Sequence, residues 1–389
     1  MELFRRTFAD INLENLQHNW SLVQKTASDD RFICPMVKAN AYGHGHAQVG
    51  LTLERSGAKF LGVCLIEEGL ELRSAGIKTE VLVFKGFDKR GAEKILEYQM
   101  TPVVSTWNQI QALESAADEP VKVHLKFNTG MGRLGFESEE AEKLLEYFKK
   151  SKKLKLKAIA THLSESADSL NLEGVTAKQI KLFENIKKEF EPLHVYAHAL
   201  NSGGVQALAE SHFLNTESAV TSQAWGMRPG LMLYGYSSNA DFKALDLKPV
   251  MSFKSVINNL RSVPKGEGVS YNTTWRAQRN SKVAIVPAGY ADGIHRVLSN
   301  KAHVLVCGER VPIVGQICMD FFMIDMTDLY EKYNRQHWEE EEVTIFGTDD
   351  TGQVLSADEV SKLALTISYE TLTSVSARVP RHFKGLKTS

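Results

Sequence analysis

The 389-residue chain is poor in cysteine, nearly neutral in net charge and free of long hydrophobic runs. The absence of a stretch of about 18 consecutive apolar residues excludes an ordinary membrane helix. A formal net charge of -1 gives no electrostatic reason to expect binding to nucleic acid or to an anionic membrane. The N-terminal segment lacks the continuous apolar stretch of a secretory signal. We therefore expect a cytoplasmic protein without nucleic-acid or membrane partners.

The four cysteines, Cys34, Cys64, Cys307 and Cys318, are scattered singly through apolar segments. Disulfide frameworks and zinc sites have cysteines at close, regular spacing. The pattern here favours buried free thiols, and we expect no metal site. Apolar residues make up 43% of the chain and charged residues 24%, which is the composition of an ordinary globular protein.

Short, β-branched apolar segments alternate with helical patterns through the first 235 residues. The predicted strands are residues 32–37, 60–64, 81–84, 101–104, 121–127, 156–161, 194–198 and 228–233. Alternating units of about 25 to 30 residues favour a (β/α)8 barrel over an open doubly wound sheet. We assign this barrel to residues 1–240.

Beyond residue 240 the pattern changes to strand-like runs broken by glycine and proline, such as VMSFKSVINNLRSVP and HVLVCGERVPIVGQICMDFFMIDM. One clear helix is predicted there, in SADEVSKLAL, with Ser356 as its N-cap. The segment SSNADFKALDLKP is the natural boundary. Residues 241–389 are therefore predicted to form a mainly β C-terminal domain.

Active-site groups of a barrel lie at the carboxyl ends of its strands and in the loops that follow. Polar residues occupy five such positions, namely Lys38, Arg133, His162, Ser202 and Arg228. In isolation, each is more often a solvated or hydrogen-bonded structural residue than a catalytic one. Their convergence on one mouth of the barrel indicates a functional site.

The loops after the seventh and eighth strands are where barrels frequently bind phosphate. Ser202 offers a hydroxyl there, and the turn PGL at 229–231 offers backbone N–H groups. With a lysine across the mouth, this arrangement predicts an aldehyde cofactor held as a Schiff base, pyridoxal 5'-phosphate. The stretch GMGRLG at 130–135 also fits a dinucleotide-binding fingerprint. That fingerprint needs an acidic residue about 20 positions on, where this chain has KKSKKLKLK, so we disfavour a nicotinamide cofactor.

Ordered blocks of the sequence resemble the motifs of bacterial alanine racemases: MVKANAYGHG, NTGMGRLGF, MRPGLMLYG, GVSYNTTW, AGYADG, ICMDF and SYETLTSVSARVPR. The resemblance spans residues 34–381. It implies a barrel followed by a β-domain, dependence on pyridoxal phosphate, and interconversion of L-alanine and D-alanine. D-Alanine for peptidoglycan is the product that it implies.

The resemblance also implies roles for individual residues. Lys38 corresponds to the lysine that carries the cofactor as an aldimine and acts as one of two catalytic bases, and Tyr271 corresponds to the other base. Arg133 and Met319 correspond to groups around the substrate carboxylate. The implied cofactor contacts are Tyr42, Ser202, Gly230, Leu231 and Tyr369 at the phosphate, Arg228 at the pyridine nitrogen, and His162 between Arg228 and the second base.

In the family, the residues matching Tyr271 and Met319 come from the other subunit, so the resemblance implies a head-to-tail homodimer with shared active sites. Lys126 matches a position that is sometimes a carbamylated lysine, whose carbamate would orient Arg133 by charge-assisted hydrogen bonds. An unmodified Lys126 paired with a neighbouring carboxylate is the alternative.

The chemistry accounts for these residue types. Racemisation removes the α-proton from one face of the substrate and returns a proton to the other, so each face needs a base. Lysine and tyrosine ordinarily have pKa values near 10, so neighbouring cations such as Arg133 and Arg228 are expected to lower them. Because arginine keeps its proton, Arg228 would leave the pyridine nitrogen unprotonated and suppress decarboxylation and transamination.

Two positions depart from the family pattern. Asn128 stands where the family commonly has aspartate, and Gln316 where it has arginine, so we expect an altered substrate passage. A broader-specificity amino-acid racemase and a non-catalytic pyridoxal-phosphate-binding protein remain as alternatives. Decarboxylases of this scaffold place a carboxylate at the pyridine nitrogen, which Arg228 disfavours.

Overall fold

The computed structural model describes residues 5–27, 31–335 and 337–385. They divide into two compact units. The barrel unit comprises Leu16–Ala41 and His46–Lys248. The β unit comprises the described residues up to Asn15, Tyr42–Gly45 and the chain from Pro249 onward. The units therefore divide the chain near residue 249, and the residues before Leu16 belong with the C-terminal part.

The helices of the barrel unit begin and end close to where the apolar periodicity predicts them. Local caps define several starts; the Thr106 hydroxyl, for example, accepts the N–H of Gln109 at the start of α6. The segment α2 is a single left-handed turn. The helices of the described residues are α1 (Leu13–Thr26), α2 (Lys38–Tyr42), α3 (His46–Arg55), α4 (Ile66–Ser74), α5 (Lys89–Glu97), α6 (Trp107–Ala116), α7 (Ala141–Lys150), α8 (Val175–Glu189), α9 (Ser202–Leu214), α10 (Thr327–Tyr333), α11 (Ala357–Leu363) and α12 (Ser368–Ser374).

The described strands of both units are two to seven residues long. They are β1 (Phe8–Asn12), β2 (Phe60–Val63), β3 (Glu80–Val83), β4 (Thr101–Val104), β5 (Val121–Lys126), β6 (Leu154–Ala160), β7 (Tyr196–Leu200), β8 (Gly226–Met227), β9 (Met251–Val256), β10 (Asn259–Val263), β11 (Gly268–Val269), β12 (Trp275–Arg276), β13 (Ser281–Val286), β14 (His303–Val306), β15 (Glu309–Val314), β16 (Phe322–Asp325), β17 (Glu342–Thr348), β18 (Val354–Leu355) and β19 (Arg381–Lys384).

Strands β2 to β8 form a parallel sheet in chain order, as the βα alternation predicts. Residues 32–37 close this sheet. Ile33 bridges Met227 of β8 on one side, and Met36 bridges Gly62 of β2 on the other. The closing segment forms only bridges because Pro35 has no N–H to donate to a ladder. The predicted (β/α)8 barrel is confirmed.

The eighth predicted strand, 228–233, is wrong in its position. The strand is Gly226–Met227, and Leu231–Tyr234 is a 3₁₀ turn. Pro229 removes a donor and Gly230 has φ of -125° and ψ of -95°, so the extended backbone ends there. Arg228 therefore stands directly after the strand rather than within it.

The β unit is mainly β, as predicted. Its large sheet has the order β10-β13-β16-β15-β14-β17-β9-β1-β19, with β18 beside β17. Strand β1 pairs with β9 antiparallel and with β19 in parallel, which explains why the N-terminal residues belong to this unit. Ser356 caps α11 as predicted. The prediction of a single clear helix is wrong, because α10 and α12 also form. Both begin without a side-chain cap, whereas α11, which has the same length, begins at the Ser356 cap.

The four cysteines are free thiols; Cys34 is buried, and the other three are half-buried rather than buried as predicted. Within the described ranges, no helix combines the length and the apolar character needed to cross a bilayer.

Candidate active site

Lys38 lies at the carboxyl end of the segment that closes the barrel. The chain then makes the left-handed turn α2, in which residues 39–42 all have φ between 51° and 54°. For residues other than glycine this conformation costs about 1–2 kcal/mol each. Such a turn persists only where its surroundings hold it. The strain is located directly beside the lysine that the sequence singles out.

Hydrogen bonds from two helices hold this turn. The N–H of Ala39 donates to Oε1 of Glu68, on α4, at 2.6 Å. Oδ1 of Asn40 accepts the backbone N–H of His46, on α3, at 3.0 Å and lies 2.8 Å from Nδ1 of its ring. Within the turn, Ala41 donates its N–H to the carbonyl four residues earlier at 2.9 Å.

Arg228 follows β8, and its guanidinium is buried in the barrel, with 5% of the residue exposed. Nη1 lies 2.5 Å from Nδ1 of His198 and donates to the carbonyl oxygen of the same residue at 2.7 Å. Nη2 donates to the carbonyl oxygens of Thr161 (2.5 Å) and Ala199 (3.2 Å). Burial lowers the pKa of Arg228 to about 10, so it remains charged at neutral pH.

Two buried histidines extend this network. Nε2 of His198 lies 3.0 Å from Nδ1 of His124. Burial, and then the charge of Arg228, lower the pKa of both rings, that of His124 to about 3, so both are neutral. Because arginine can only donate, Nδ1 of His198 accepts and its Nε2 carries the proton, which it donates to His124. The ring of Phe32 stacks on His198 with centroids 4.7 Å apart.

Ser202 begins α9, directly after β7, and is buried. Its hydroxyl oxygen accepts the N–H of Gly230 at 2.9 Å and that of Met232 at 3.3 Å. Leu231, between them, begins the 3₁₀ turn Leu231–Tyr234. The start of α9 and the turn after β8 thus meet at one hydroxyl. The predicted phosphate ligands of the barrel unit, Ser202, Gly230 and Leu231, lie together.

Lys126 ends β5 and is also buried, with 8% of the residue exposed. Burial, and then the charges of Arg228 and Arg133, lower the pKa of Lys126 to about 8. Lys38 acts in the same direction and Cys64 in the opposite one. Lys126 is thus a buried amine close to several cations, and both predicted states of this lysine, carbamylated and unmodified, stay predictions.

His162 follows β6, and its Nδ1 lies 3.5 Å from Nη2 of Arg228, at the limit of a hydrogen bond. Burial lowers the pKa of His162 well below its ordinary value, and the charges of Arg228, Lys126, Arg133 and Lys38 add to the effect. The ring is therefore neutral. The same charges act on Lys126 and His162, so the structure brings these barrel residues into one electrostatic neighbourhood.

Arg133 is exposed in the loop that follows β5. A bridge between Phe127 and Phe136 closes the base of this loop. Inside it, Oδ1 of Asn128 accepts the N–H groups of Gly130 (3.3 Å) and Gly132 (2.9 Å). Nδ2 of Asn128 donates to the carboxylate of Glu137 at 3.0 Å, which an aspartate could not do. The Asn128 side chain thus pairs with the Glu137 carboxylate and holds the loop that carries Arg133.

In the β unit, Tyr271 and Met319 are exposed, by 67% and 53%. Their loops are joined, because the hydroxyl of Ser270 donates to the carbonyl oxygen of Gln316 at 2.7 Å. The side-chain amide of Gln316 donates to the Thr274 hydroxyl at 3.2 Å, which is a second link between Gln316 and the Tyr271 loop. The side chains of Tyr271 and Met319 project from a hydrogen-bonded platform.

Tyr42 and Tyr369 also belong to the β unit, and their ring centroids lie 6.0 Å apart. Burial raises the pKa of Tyr369, so its phenol remains a hydrogen-bond donor at neutral pH. The structure therefore pairs the two predicted tyrosine ligands of the phosphate.

Three residues of the site were missed in the sequence. His124 could have been found, because it stands two positions before Lys126 in a buried strand, and alternate residues of a strand share a face. His198 could have been found in a similar way, because it is a histidine within the largely buried strand β7. Glu68 has no signal in the sequence, since its partner, Ala39, offers only a backbone N–H.

The comparisons with known proteins cover nearly the whole chain. The family described as alanine racemase, N-terminal domain, matches residues 11–238, and that described as alanine racemase, C-terminal domain, matches residues 250–383. An alanine racemase of Sorangium cellulosum is 40% identical over 98% of this chain and 99% of its own.

Solved structures agree. The crystal structure of alanine racemase from Bacillus anthracis with bound L-Ala-P has a TM-score of 0.86 at 29% identity, covering 99% of this chain and 97% of that one. Alanine racemase from Bartonella henselae with covalently bound pyridoxal phosphate has a TM-score of 0.84 at 26% identity, covering 97% and 99%.

Proposed function

Because the chain belongs to the alanine racemase family, a family of pyridoxal-phosphate-dependent enzymes, we propose that it interconverts L-alanine and D-alanine with pyridoxal 5'-phosphate as its cofactor. The observation that carries the proposal is the buried guanidinium of Arg228, held by barrel carbonyls and by a neutral histidine. A fixed cation in a barrel mouth suits a ring nitrogen that must stay unprotonated. The D-alanine product supplies peptidoglycan synthesis in the cytoplasm.

The residues fit the phosphate of this cofactor. The Ser202 hydroxyl and the backbone N–H of Leu231 would bind its oxygens, at the kind of helix start that favours phosphate. The N–H of Gly230, which donates to the Ser202 hydroxyl, would contribute a further donor. The resemblance also assigns the phenols of Tyr42 and Tyr369 to this phosphate.

The residues also fit the rest of the cofactor. When bound, it supplies an aldehyde for the amine of Lys38 and a ring that withdraws electrons from the substrate Cα. Arg228 would hold the pyridine nitrogen as a permanent hydrogen-bond donor. Neutral His162 accepts a hydrogen bond from Arg228 on one ring nitrogen and donates from the other toward Tyr271 of the partner subunit. Arg133 of the same chain and Met319 of the partner subunit would hold the substrate carboxylate.

Two residues move the proton. The amine of Lys38 takes the α-proton, or returns one, on one face of the substrate, and the phenol of Tyr271 does so on the other. Each substrate enantiomer uses one residue as base and the other as acid. Loss of either residue therefore slows both directions of the reaction.

We propose a head-to-tail homodimer with shared active sites. Its support is that Tyr271 and Met319 are 67% and 53% exposed and lie on two loops of the β unit that a hydrogen bond joins. Exposed apolar residues that lie together mark surfaces that another protein covers. Sedimentation equilibrium of the holoprotein is expected to give a dimer, and a monomer with full activity would contradict the shared site.

We also propose that Lys126 is carbamylated. A buried lysine whose pKa lies near 8 has a substantial neutral fraction at neutral pH, and the neutral amine attacks CO2. The new N–C bond gives a carbamate anion and releases one proton. The anion is stabilised by Arg133 and Arg228, which otherwise repel the ammonium. Mass spectrometry under mild conditions is expected to show Lys126 heavier by one CO2, and an unmodified amine would contradict the proposal.

The racemase assignment is tested with L-alanine in deuterated water. D-Alanine carrying α-deuterium should accumulate when pyridoxal phosphate is present, as followed by chiral chromatography and proton NMR. Lys38→Ala should abolish both signals, whereas Lys59→Ala, at an exposed lysine, should keep them.

The cofactor bond has its own measurement. Borohydride reduction of the holoprotein followed by peptide mapping should locate the cofactor on Lys38. A preparation that stays colourless with added cofactor, or an adduct on another lysine, would overturn the assignment.

A further inference from the structure

The left-handed turn α2 is held from outside by one carboxylate. Oε1 of Glu68 accepts the N–H of Ala39 at 2.6 Å. Oε2 of the same carboxylate accepts the N–H groups of Cys64 (2.8 Å) and Leu65 (3.0 Å), at the start of α4. One side chain therefore joins the turn after Lys38 to the loop after β2. Both oxygens are needed, because each faces backbone donors.

A second carboxylate of α4 supports the other side of the turn. Glu71 lies one helical turn after Glu68, so both side chains project on the same face of α4. Its Oε2 lies 2.7 Å from Nε2 of His46, whose backbone N–H and Nδ1 meet Oδ1 of Asn40. Helix α4 thus braces two successive residues of the strained turn, Ala39 directly and Asn40 through His46.

The contacts of Glu68 and Glu71 with the turn, called the brace below, matter because the turn has an unfavourable backbone conformation. Alanine on its own prefers right-handed or extended backbone, and Ala39 has φ 51° and ψ 53°. Without an outside partner for its N–H, the turn would populate other conformations, in which the preceding residue, Lys38, points elsewhere. A ligand that needs one conformation has its affinity reduced to the fraction of molecules that adopt it.

We propose that Glu68 is a positioning residue for Lys38: its carboxylate holds the left-handed turn at Ala39 and so keeps the lysine amine where the cofactor aldehyde is captured. This inference rests on the proposed function, because it assigns Lys38 to cofactor binding. It adds Glu68, which does not touch cofactor or substrate, to the residues on which that binding depends.

The competing explanation is that Glu68 only caps α4 through Cys64 and Leu65. The two explanations differ in the effect of Ala39→Gly. Glycine adopts the left-handed conformation without a Cβ penalty, so it should remove the need for a brace at residue 39. It should leave unchanged any defect that arises at the start of α4.

The experiment compares Glu68→Gln, Ala39→Gly and the double variant with the wild-type chain. The side-chain amide introduced by Glu68→Gln would place an N–H against a backbone N–H, either at Ala39 or at α4. Glu67→Gln is the matched control, because Glu67 is the exposed neighbour with the same change in charge. The measurements are the dissociation constant of pyridoxal 5'-phosphate from the apoprotein, by absorbance titration, and amide hydrogen exchange of residues 38–42 in the apoprotein.

We expect Glu68→Gln to weaken cofactor binding about tenfold, the size of one charge-assisted hydrogen bond, and to speed exchange of the Ala39 amide. Glu67→Gln should stay within about twofold of wild type, because this exposed side chain is not part of the brace. Ala39→Gly should restore the double variant to within about threefold of Ala39→Gly alone, as expected for coupled residues.

Two results would overturn the inference: Glu68→Gln binding the cofactor as tightly as Glu67→Gln, or Ala39→Gly failing to restore the double variant. If wild-type protein takes up no cofactor, the proposed function fails, and amide exchange still tests the brace. Should Glu68→Gln not fold, Ala39→Gly alone decides: it should keep or raise Tm, whereas Ala112→Gly in right-handed α6 should lower it. A Tm loss at Ala39→Gly as large as at Ala112→Gly would refute a strained turn.

Discussion

The catalytic and substrate-binding candidates of the β unit are exposed, whereas most cofactor-binding candidates of the barrel unit are buried. In the barrel unit, Arg228, Lys126 and Ser202 are at most 8% exposed. In the β unit, Tyr271 and Met319 are 67% and 53% exposed. The guanidinium of Arg228 and the hydroxyl of Ser202 are preorganised by hydrogen bonds within their own chain, whereas the Lys126 amine is buried close to cations. In the proposed dimer, the exposed side chains of the β unit contribute to a site only on assembly.

This contrast predicts how substitutions separate stability from activity. Changes in the barrel unit should affect folding and cofactor binding together. Changes at the exposed loops of the β unit should affect the reaction and leave the stability of the chain unchanged. The variants below are ordered by the size of the expected effect.

Arg228→Leu should have the largest effect. It removes the donor for the carbonyls of Thr161 and Ala199 and for Nδ1 of His198, and leaves these acceptors buried and unpaired. We expect a loss of about 3–5 kcal/mol in the free energy of unfolding and loss of cofactor retention. Urea unfolding of the apoprotein measures the first, and absorbance after gel filtration the second. If the variant were as stable as the wild type, the expectation that buried barrel residues support folding would be wrong.

Tyr271→Phe should lower kcat about 10²–10³-fold, because a proton-transfer residue is lost. The apoprotein should unfold at the same temperature as wild type, since the ring is exposed and retained. Racemisation rates and thermal denaturation of the same preparation check both parts. A drop in Tm comparable to that of a barrel variant would show that Tyr271 is part of its own chain's core. It would contradict the expectation that exposed residues of the β unit leave stability unchanged.

Lys126→Met tests how much the buried ammonium of Lys126 lowers the free energy of unfolding. The pKa of Lys126 is lowered to about 8 in the folded chain, so the unfolded chain binds more protons between about pH 8 and the ordinary pKa of lysine. Wild-type stability should therefore rise with pH across that window, and the full cost, about 3 kcal/mol, should be present below it. The variant should gain most in stability below pH 8, and its advantage should shrink as the pH rises.

This measurement must be made in CO2-free buffer. Added bicarbonate should stabilise the wild-type chain and leave Lys126→Met unchanged, because the carbamate replaces the buried ammonium by an anion among arginines. The same advantage at every pH would contradict a lowered pKa at this lysine.

Asn128→Asp should have the smallest effect. It replaces the amide that donates to Glu137 by a carboxylate, so two like charges would lie about 3 Å apart in a partly exposed loop. We expect a loss of about 1 kcal/mol in stability, reduced by salt, and a raised KM through the loop that carries Arg133. The double variant Asn128→Asp with Glu137→Gln should recover both. Failure to recover would remove Glu137 as the reason for asparagine at this position.

Much of the fold could be predicted because the signals are local. Alternating β-branched strands and amphipathic helices identify the barrel, and glycine- and proline-broken strand runs identify the β unit. The family resemblance is confirmed by both family domains. Local signals failed at three elements: the eighth strand is two residues long, and α10 and α12 begin without the side-chain cap that marks α11.

The site was predictable to the extent that it lies at strand ends. Lys38, Arg133, His162, Ser202 and Arg228 follow from the position of the strands, since the carboxyl ends of parallel strands meet at one face. Their partners did not follow in the same way. His124 and His198 lie 74 positions apart in sequence and 3.0 Å apart in the structure.

The sequence by itself determined the order of the elements, the types of side chain at the barrel mouth and the family, because periodicity and motifs act over a few neighbouring residues. Only the tertiary structure decided the protonation of the Arg228 network and the handedness of the turn after Lys38. Both depend on groups brought together from distant parts of the chain: burial sets the pKa of the histidines, and the Glu68 carboxylate holds Ala39 against its own preference for right-handed backbone.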